Sequence, residues 1–276
     1  MKKKKKGSFT NVILFFILLA GLSLLLYPSF SDYWNSLHQS RAISVYADSV
    51  AQLDDDRYKA ILDQAVAYNE SLNQRLNQFS LTPEQRRAYP DQLNVDGNGV
   101  MGYVEIPSIR CTLPIYHGID ESVLQVAIGH IEWTSLPTGG MDTHTVLSGH
   151  RGLPSAKLFS ELDKLREGDI FMIRVLDELY TYEVDQILIV EPAEVDPLVI
   201  EKGKSLCTLV TCTPYGVNTH RMLVRGHRVE NPKEAVQIRV TGNAIQMEPT
   251  LVAIFVGVPL LILLLPWMVS GKRKKR

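Results

Sequence analysis

Cys212 and Arg221 stand nine residues apart in the segment SLCTLVTCTPYGVNTHRMLVRGHR, residues 205–228. A run of β-branched and apolar residues leads into Cys212 and stops at Thr213-Pro214, because proline removes a ladder donor and ends regular pairing. The loop PYGVNTH supplies Gly and Asn for a turn, and a second strand starts near Arg221 with Met222, Leu223 and Val224. Two antiparallel neighbours would bring the thiol and the guanidinium side by side.

That pairing suits attack on a carbonyl. A thiolate adding to an acyl carbon creates negative charge on oxygen, which a fixed donor must stabilise. Arginine stays protonated and offers several donors in a rigid fork. A nucleophilic cysteine also needs a proton-transfer partner, and histidine titrates near neutrality. Seven histidines compete. His150 is the best placed, since it follows the apolar run HTVLSG and precedes Arg151-Gly152, at a strand end like Cys212. His220 and His227 belong to the same hairpin as Cys212.

Three cysteines cannot form a disulfide framework in a chain of 276 residues, so at least one thiol is unpaired. Cys207 lies five residues before Cys212, which in an unbroken strand turns it to the opposite face and into the core. Cys111, in an apolar strand, reads as a small buried hydrophobe. A phosphatase-type Cys-x5-Arg loop would need arginine where Asn218 stands. A zinc site lacks both a Cys-x2-Cys pair and a His-Glu-x-x-His helix. An ordinary cysteine protease shares the thiolate and imidazole and passes its acyl group to water.

The elements that must hold these groups read as short strands after Val100: GYVEIPSI, CTLPIYHG, HTVLSGH, DIFMIRVL, LYTYEVDQILIV, SLCTLVTC and HRMLVRGHRV. Short helices are expected over 155–165, where Leu158, Leu162 and Leu165 share a face, and over 121–128. Many strands with few helices indicate a barrel or sandwich. Residues 40–79 read as helix broken near Asp54, Asp55 and Asp56, with Tyr58, Ile61, Leu62, Ala65, Val66, Leu72, Leu76 and Phe79 as its apolar stripe. Residues 80–99 lose periodicity and read as a loop of the length that lids and binding loops have.

Charge is partitioned along the chain. Lys2 to Lys6 precede an apolar run at 12–27, and KRKKR follows another at 251–269. Both runs read as membrane segments, the first as either a signal peptide or an uncleaved signal anchor. The lack of a small-residue cleavage site after Leu26 favours retention, which puts both basic termini in the cytoplasm and the domain between them outside. Apart from those ten basic residues, 19 Lys and Arg face 30 Asp and Glu. That acidic balance excludes a nucleic-acid partner held through phosphates.

TLVTCTPYGVNTHR, from Thr208 to Arg221, resembles the TLxTC motif of the sortases followed nine residues after cysteine by arginine. LSGHRG around His150 resembles their histidine motif. With the helical extension and the C-terminal membrane helix, the chain is similar to class C, the pilin-polymerising sortases. The resemblance implies a mainly β fold, an eight-stranded barrel with short helices. It implies His150, Cys212 and Arg221 as catalytic residues, with Thr211 and Thr213 supporting or contacting substrate. It further implies cleavage of an LPXTG-like sorting signal between Thr and Gly and transfer of the acyl group to a pilin lysine. The partners are then pilin subunits and the membrane, with no metal or organic cofactor. A housekeeping-type sortase using a cell-wall precursor and a non-catalytic pilus-interaction module are the alternatives.

One departure from class C concerns the lid. Its Asp-Pro-aromatic motif is missing from NQFSLTPEQ, residues 77–85, leaving Phe79 or Leu81 to take the aromatic's place. The expected organisation is an anchor at 1–30, a helical extension and lid-like loop at 31–99, and the catalytic barrel at 100–233. A linker at 234–249, a membrane helix at 250–270 and a basic tail at 271–276 complete it.

Overall fold

The computed structural model describes residues 7–232. The predicted linker, C-terminal membrane helix and basic tail lie outside the described residues, as do Lys2 to Lys6. Helix α1 (Gly7–Ala51) runs for 45 residues, roughly 68 Å at 1.5 Å per residue. Its first part is long and apolar enough to cross a membrane, and none of that window is buried in the protein. Ile13, Leu14, Phe16, Ile17, Leu18, Leu24 and Leu25 are exposed there. Its last part turns Ile43, Tyr46 and Val50 into the main core. The Tyr46 hydroxyl donates to the Met101 carbonyl (3.1 Å) and accepts from the Leu176 amide (2.7 Å).

The expected helix break falls at residues 52–54. Asp54 caps α2 (Asp55–Asn73), its carboxylate accepting from the Arg57 amide at 2.7 Å, and Asp55 and Asp56 add favourable charge to the first turn. The helix ends at Asn73, short of the expected residue 79. Its buried face is Ala65, Tyr68, Asn69 and Leu72. Val66 is exposed because the face that meets the barrel is rotated away from it, and Leu76 is exposed beyond the helix end. The segment read as a loop holds α3 (Pro83–Ala88), fixed by a capping box between Thr82 and Gln85 with proline at the helix start.

Eight strands follow: β1 (Val100–Ile106), β2 (Cys111–His117), β3 (Ile128–His130), β4 (Thr143–Ser148), β5 (Ile170–Val175), β6 (Glu178–Val190), β7 (Ser205–Thr213) and β8 (His220–Val229). They close into a barrel in the order β1-β2-β3-β4-β7-β8-β6-β5. Seven of the eight strands carry a legible apolar signal; β3, three residues long, has none. A short helix α4 (Glu121–Leu124) precedes β3 and is half the length expected. The helix expected over 155–165 is absent. Turns and one 3-10 segment (Leu162–Lys164) replace it, and Leu158, Leu162 and Leu165 reach the core from an irregular chain.

The interior is filled from every strand, with Phe171 stacked on Tyr182 (ring centroids 5.4 Å apart) beside Cys207, Leu209 and Val224. β4 and β7 pair in parallel and are buried on both faces, although their sequences (THTVLS and SLCTLVTCT) mix apolar residues with buried threonine, serine and histidine. Their outer face forms a second cluster: Val146, Val210, Leu223, Val190 and Leu198, with Ile131, Trp133 and Leu188 against it. Period two along β7 puts Leu209 inside and Val210 outside, and therefore Cys207 inside and Cys212 outside.

Candidate active site

Cys212 sits one residue before the end of β7, partly exposed, and is the direct partner of Arg221 in the β7–β8 ladder. The turn between them is held by Pro214, whose carbonyl accepts from the amides of Val217 (3.1 Å) and Asn218 (2.9 Å). Asn218 occupies the left-handed region (φ +60°), which asparagine tolerates better than most residues. Arg221 Nη1 donates to the carbonyls of Asn218 (3.3 Å) and His220 (3.2 Å). The hairpin thus fixes the guanidinium that shares a rung with the sulfur.

His150 arrives from the other side. Ser148 pairs with Val210 in the parallel β4–β7 ladder, and the Gly149 amide donates to the Val210 carbonyl at 3.0 Å. Thr211 Oγ1 donates to the Gly149 carbonyl at 2.8 Å. Continuing this register by two residues sets position 150 beside position 212. Gly149 admits no side chain, since an added Cβ would lie 2.7 Å from the Phe159 ring and 2.8 Å from Ile128. His150 Nε2 is buried without a hydrogen-bond partner, and a Glu121 carboxylate oxygen lies 3.7 Å from it.

Arg151 locks this loop to the strand end that carries Cys212. Its Nη1 donates to Thr213 Oγ1 at 3.1 Å, and its Nη2 pairs with Asp163. Thr211 and Thr213 are therefore buried ties between the His150 loop and β7. Tyr215 lies over Gly152, which has φ +80° and whose added Cβ would meet the Tyr215 ring at 2.8 Å.

On the same face of β7 as Cys212, Val210 belongs to the outer apolar cluster with Val146 and Leu223, an apolar floor against which Trp133 packs. Phe79 meets Trp133 edge to face, ring centroids 5.4 Å apart. Arg75 holds that loop by donating to the carbonyls of Leu72 (2.9 Å), Ser80 (3.1 Å) and Trp133 (2.9 Å). Gln78 accepts from the Ile200 amide at 2.8 Å. Of the two lid positions, Phe79 faces the floor and Leu81 is buried in the main core.

The remaining histidines are placed elsewhere. His130 has Tyr89 Oη 2.9 Å from Nδ1 and the Ser135 carbonyl 2.9 Å from Nε2. His144 lies between the Val199 carbonyl and Thr208 Oγ1, and His117 between two carbonyls. Burial lowers the pKa of all three, that of His130 to about 4. His38 is on α1. His227 pairs opposite Leu206, six rungs from Arg221, and His220 opposite Thr213. The other two thiols are protonated by burial, Cys111 pushed up to about 12 and Cys207 well above its ordinary value. Sequence reasoning missed Glu121, Arg151, Asp163 and Trp133. Only Arg151 carried a signal, through its place next to His150.

A sortase domain model matches residues 104–229. Sortase D of Bacillus subtilis (strain 168) is 28% identical over 169 residues, which are 60% of this chain and 76% of that protein. Among solved structures, sortase C1 of Streptococcus agalactiae is 53% identical with a TM-score of 0.68, over 70% of this chain and all of that one. Streptococcus pneumoniae sortase C is 42% identical with a TM-score of 0.60, over 69% and 97% of the two chains. With an eight-stranded closed barrel of the same fold, the chain belongs to the sortase family of cysteine transpeptidases and stands with its class C members.

Proposed function

We propose that this chain joins pilin subunits to one another. The observation that carries the reading is the register around Cys212, with Arg221 across the ladder on one side and the His150 loop on the other. In this reading the Cys212 thiolate attacks the carbonyl of threonine in an LPXTG-like sorting signal. Arg221 holds the oxyanion and His150 protonates the departing glycine amine, so the peptide bond breaks as a thioester forms. A lysine ε-amine of a second subunit then attacks the thioester, gives its proton to His150, and releases the thiolate as an isopeptide bond forms.

The apolar floor from Val210 to Trp133 suits the leucine and proline of such a signal, and Phe79 must leave Trp133 for them to lie there. The structure of Streptococcus pneumoniae sortase C is described as bearing on pilin substrate specificity, which favours a pilin acceptor over a cell-wall precursor. α1 would anchor the enzyme with its basic end in the cytoplasm and the barrel outside. Purified enzyme, mixed with a pilin subunit carrying a sorting signal, should form covalent ladders through a thioester at Cys212, detectable by mass spectrometry. Ladders that persist with Cys212→Ala would overturn this assignment. Transfer to a cell-wall peptide amine with no lysine isopeptide would move the enzyme to the housekeeping type.

A further inference from the structure

We infer that α1 is more than an anchor: Asp32, Asn35 and Gln39 are positioning residues that set the His150 loop from outside the barrel. Asp32 Oδ1 accepts from the Lys157 amide at 2.6 Å, and Asn35 Nδ2 donates to the Ser155 carbonyl at 2.7 Å. Gln39 Nε2 donates to the Val126 carbonyl at 2.7 Å. These three positions are spaced i, i+3 and i+7 and share one helix face. Ile43, Tyr46 and Val50 continue it into the core, so the same stripe is polar near the apolar segment and greasy farther along.

The contacts fall where they matter for His150. Lys157 is followed by Leu158, a non-glycine residue at φ +37° that the chain adopts only when its surroundings hold it there. Two residues after Lys157, the Phe159 amide donates to the His150 carbonyl at 3.2 Å, and the Phe159 ring is fully buried. The path from α1 to the imidazole therefore has three links: Asp32 to Lys157, two residues of held backbone, and Phe159 to His150. On the other side, Val126 follows α4, whose Glu121 faces His150 Nε2. The segment bonded to the His150 main chain and the segment after α4 are thus both gripped through main-chain groups by one helix, and small displacements of a proton-transfer group cost rate.

This inference rests on His150 being the proton-transfer residue, and the test separates the two. Full-length enzyme in detergent micelles is assayed for sorting-signal peptide cleavage as wild type, Asp32→Ala, Asp32→Ala/Asn35→Ala, Asp32→Asn and His150→Ala. The double variant should lose about tenfold in kcat with KM within about twofold, and Asp32→Ala should lose a smaller part of it. Asp32→Asn should keep the wild-type kcat, because an amide oxygen still accepts from the Lys157 amide. Wild-type kcat in the double variant beside an inactive His150→Ala overturns this inference alone. Cleavage by His150→Ala at the wild-type rate overturns the catalytic reading beneath it. If Asp32→Asn falls as far as Asp32→Ala, the hydrogen bond is not what positions the loop. Should the double variant fail to fold, Asp32→Ala and Asp32→Asn decide on the same criteria.

Discussion

Cys212 and Arg221 are opposite members of one rung in the antiparallel β7–β8 ladder, so the spacing of sulfur and guanidinium is set by main-chain hydrogen bonds. If Arg221 serves the oxyanion, Arg221→Ala should lower kcat for signal-peptide cleavage by about 10²- to 10³-fold with a much smaller change in KM. Arg221→Lys should recover only part of it, since a point charge lacks the planar fork. Steady-state kinetics on a fluorogenic peptide reads both numbers. A fall confined to KM would make Arg221 a ground-state binder.

The three thiols should separate cleanly by reactivity. At pH 7.5, iodoacetamide should label Cys212 and leave Cys111 and Cys207 unmodified until the chain is denatured. Burial keeps those two thiols protonated, and the thiolate is the reactive form. Peptide mapping of the alkylated protein checks this. Native labelling at Cys207 would contradict its place inside the barrel.

Acid should unfold the barrel partly through His130. Its pKa is lowered by burial to about 4 from 6.5, so the unfolded chain takes up the proton that the folded state refuses. The stabilisation is full above pH 6.5 and is lost as pH falls toward 4, amounting to about 3 kcal/mol for this residue. His117 and His144 shift in the same direction. Urea unfolding at pH 7 and pH 4.5 measures the difference, and His130→Gln should show a shallower dependence. An unchanged midpoint in the wild type would contradict a neutral buried imidazole.

Gly149→Ala should destabilise by about 1–3 kcal/mol, because the new methyl meets Phe159 and Ile128 in a packed region. The thermal midpoint reports the cost. The variant should also lose activity beyond its loss of stability, since position 149 lies between the Val210 contact and His150.

Removing the Phe79 ring should uncover the Trp133 end of the apolar floor. An edge-to-face aromatic pair contributes about 1 kcal/mol, so Phe79→Ala should raise the rate of Cys212 modification by a bulky thiol reagent about fivefold. Stopped-flow labelling tests this. An unchanged rate would leave Arg75 and Gln78 as the grip that matters.

How far the molecule could be read from its residues depended on the range of the interaction. Period two along β7 was enough to put Cys207 and Cys212 on opposite faces, and proline and turn residues marked both ends of the hairpin. The strands of the barrel were legible for the same reason, except β3, whose Ile128, Gly129 and His130 are too few to carry a pattern. The leucines at 158, 162 and 165 mimicked a helix face. There the chain follows tertiary bonds to α1 and to His150 instead, and their partners lie 125 and 9 residues away in sequence. Glu121 and Trp133 reach the site only through barrel closure, which no local window contains.

One feature of α1 limits where the enzyme can work. No linker separates its greasy stretch from the side chains that grip the barrel: Tyr27 and Phe30 are exposed, and Asp32 already holds Lys157. With that stretch seated in a bilayer, the catalytic cleft has no stalk on which to swivel and stays at one altitude just above the lipid. If this chain acts on pilin subunits, as proposed, a subunit would have to bring its cleavage site down to that height, which would favour clients still tethered in the same membrane over those already released.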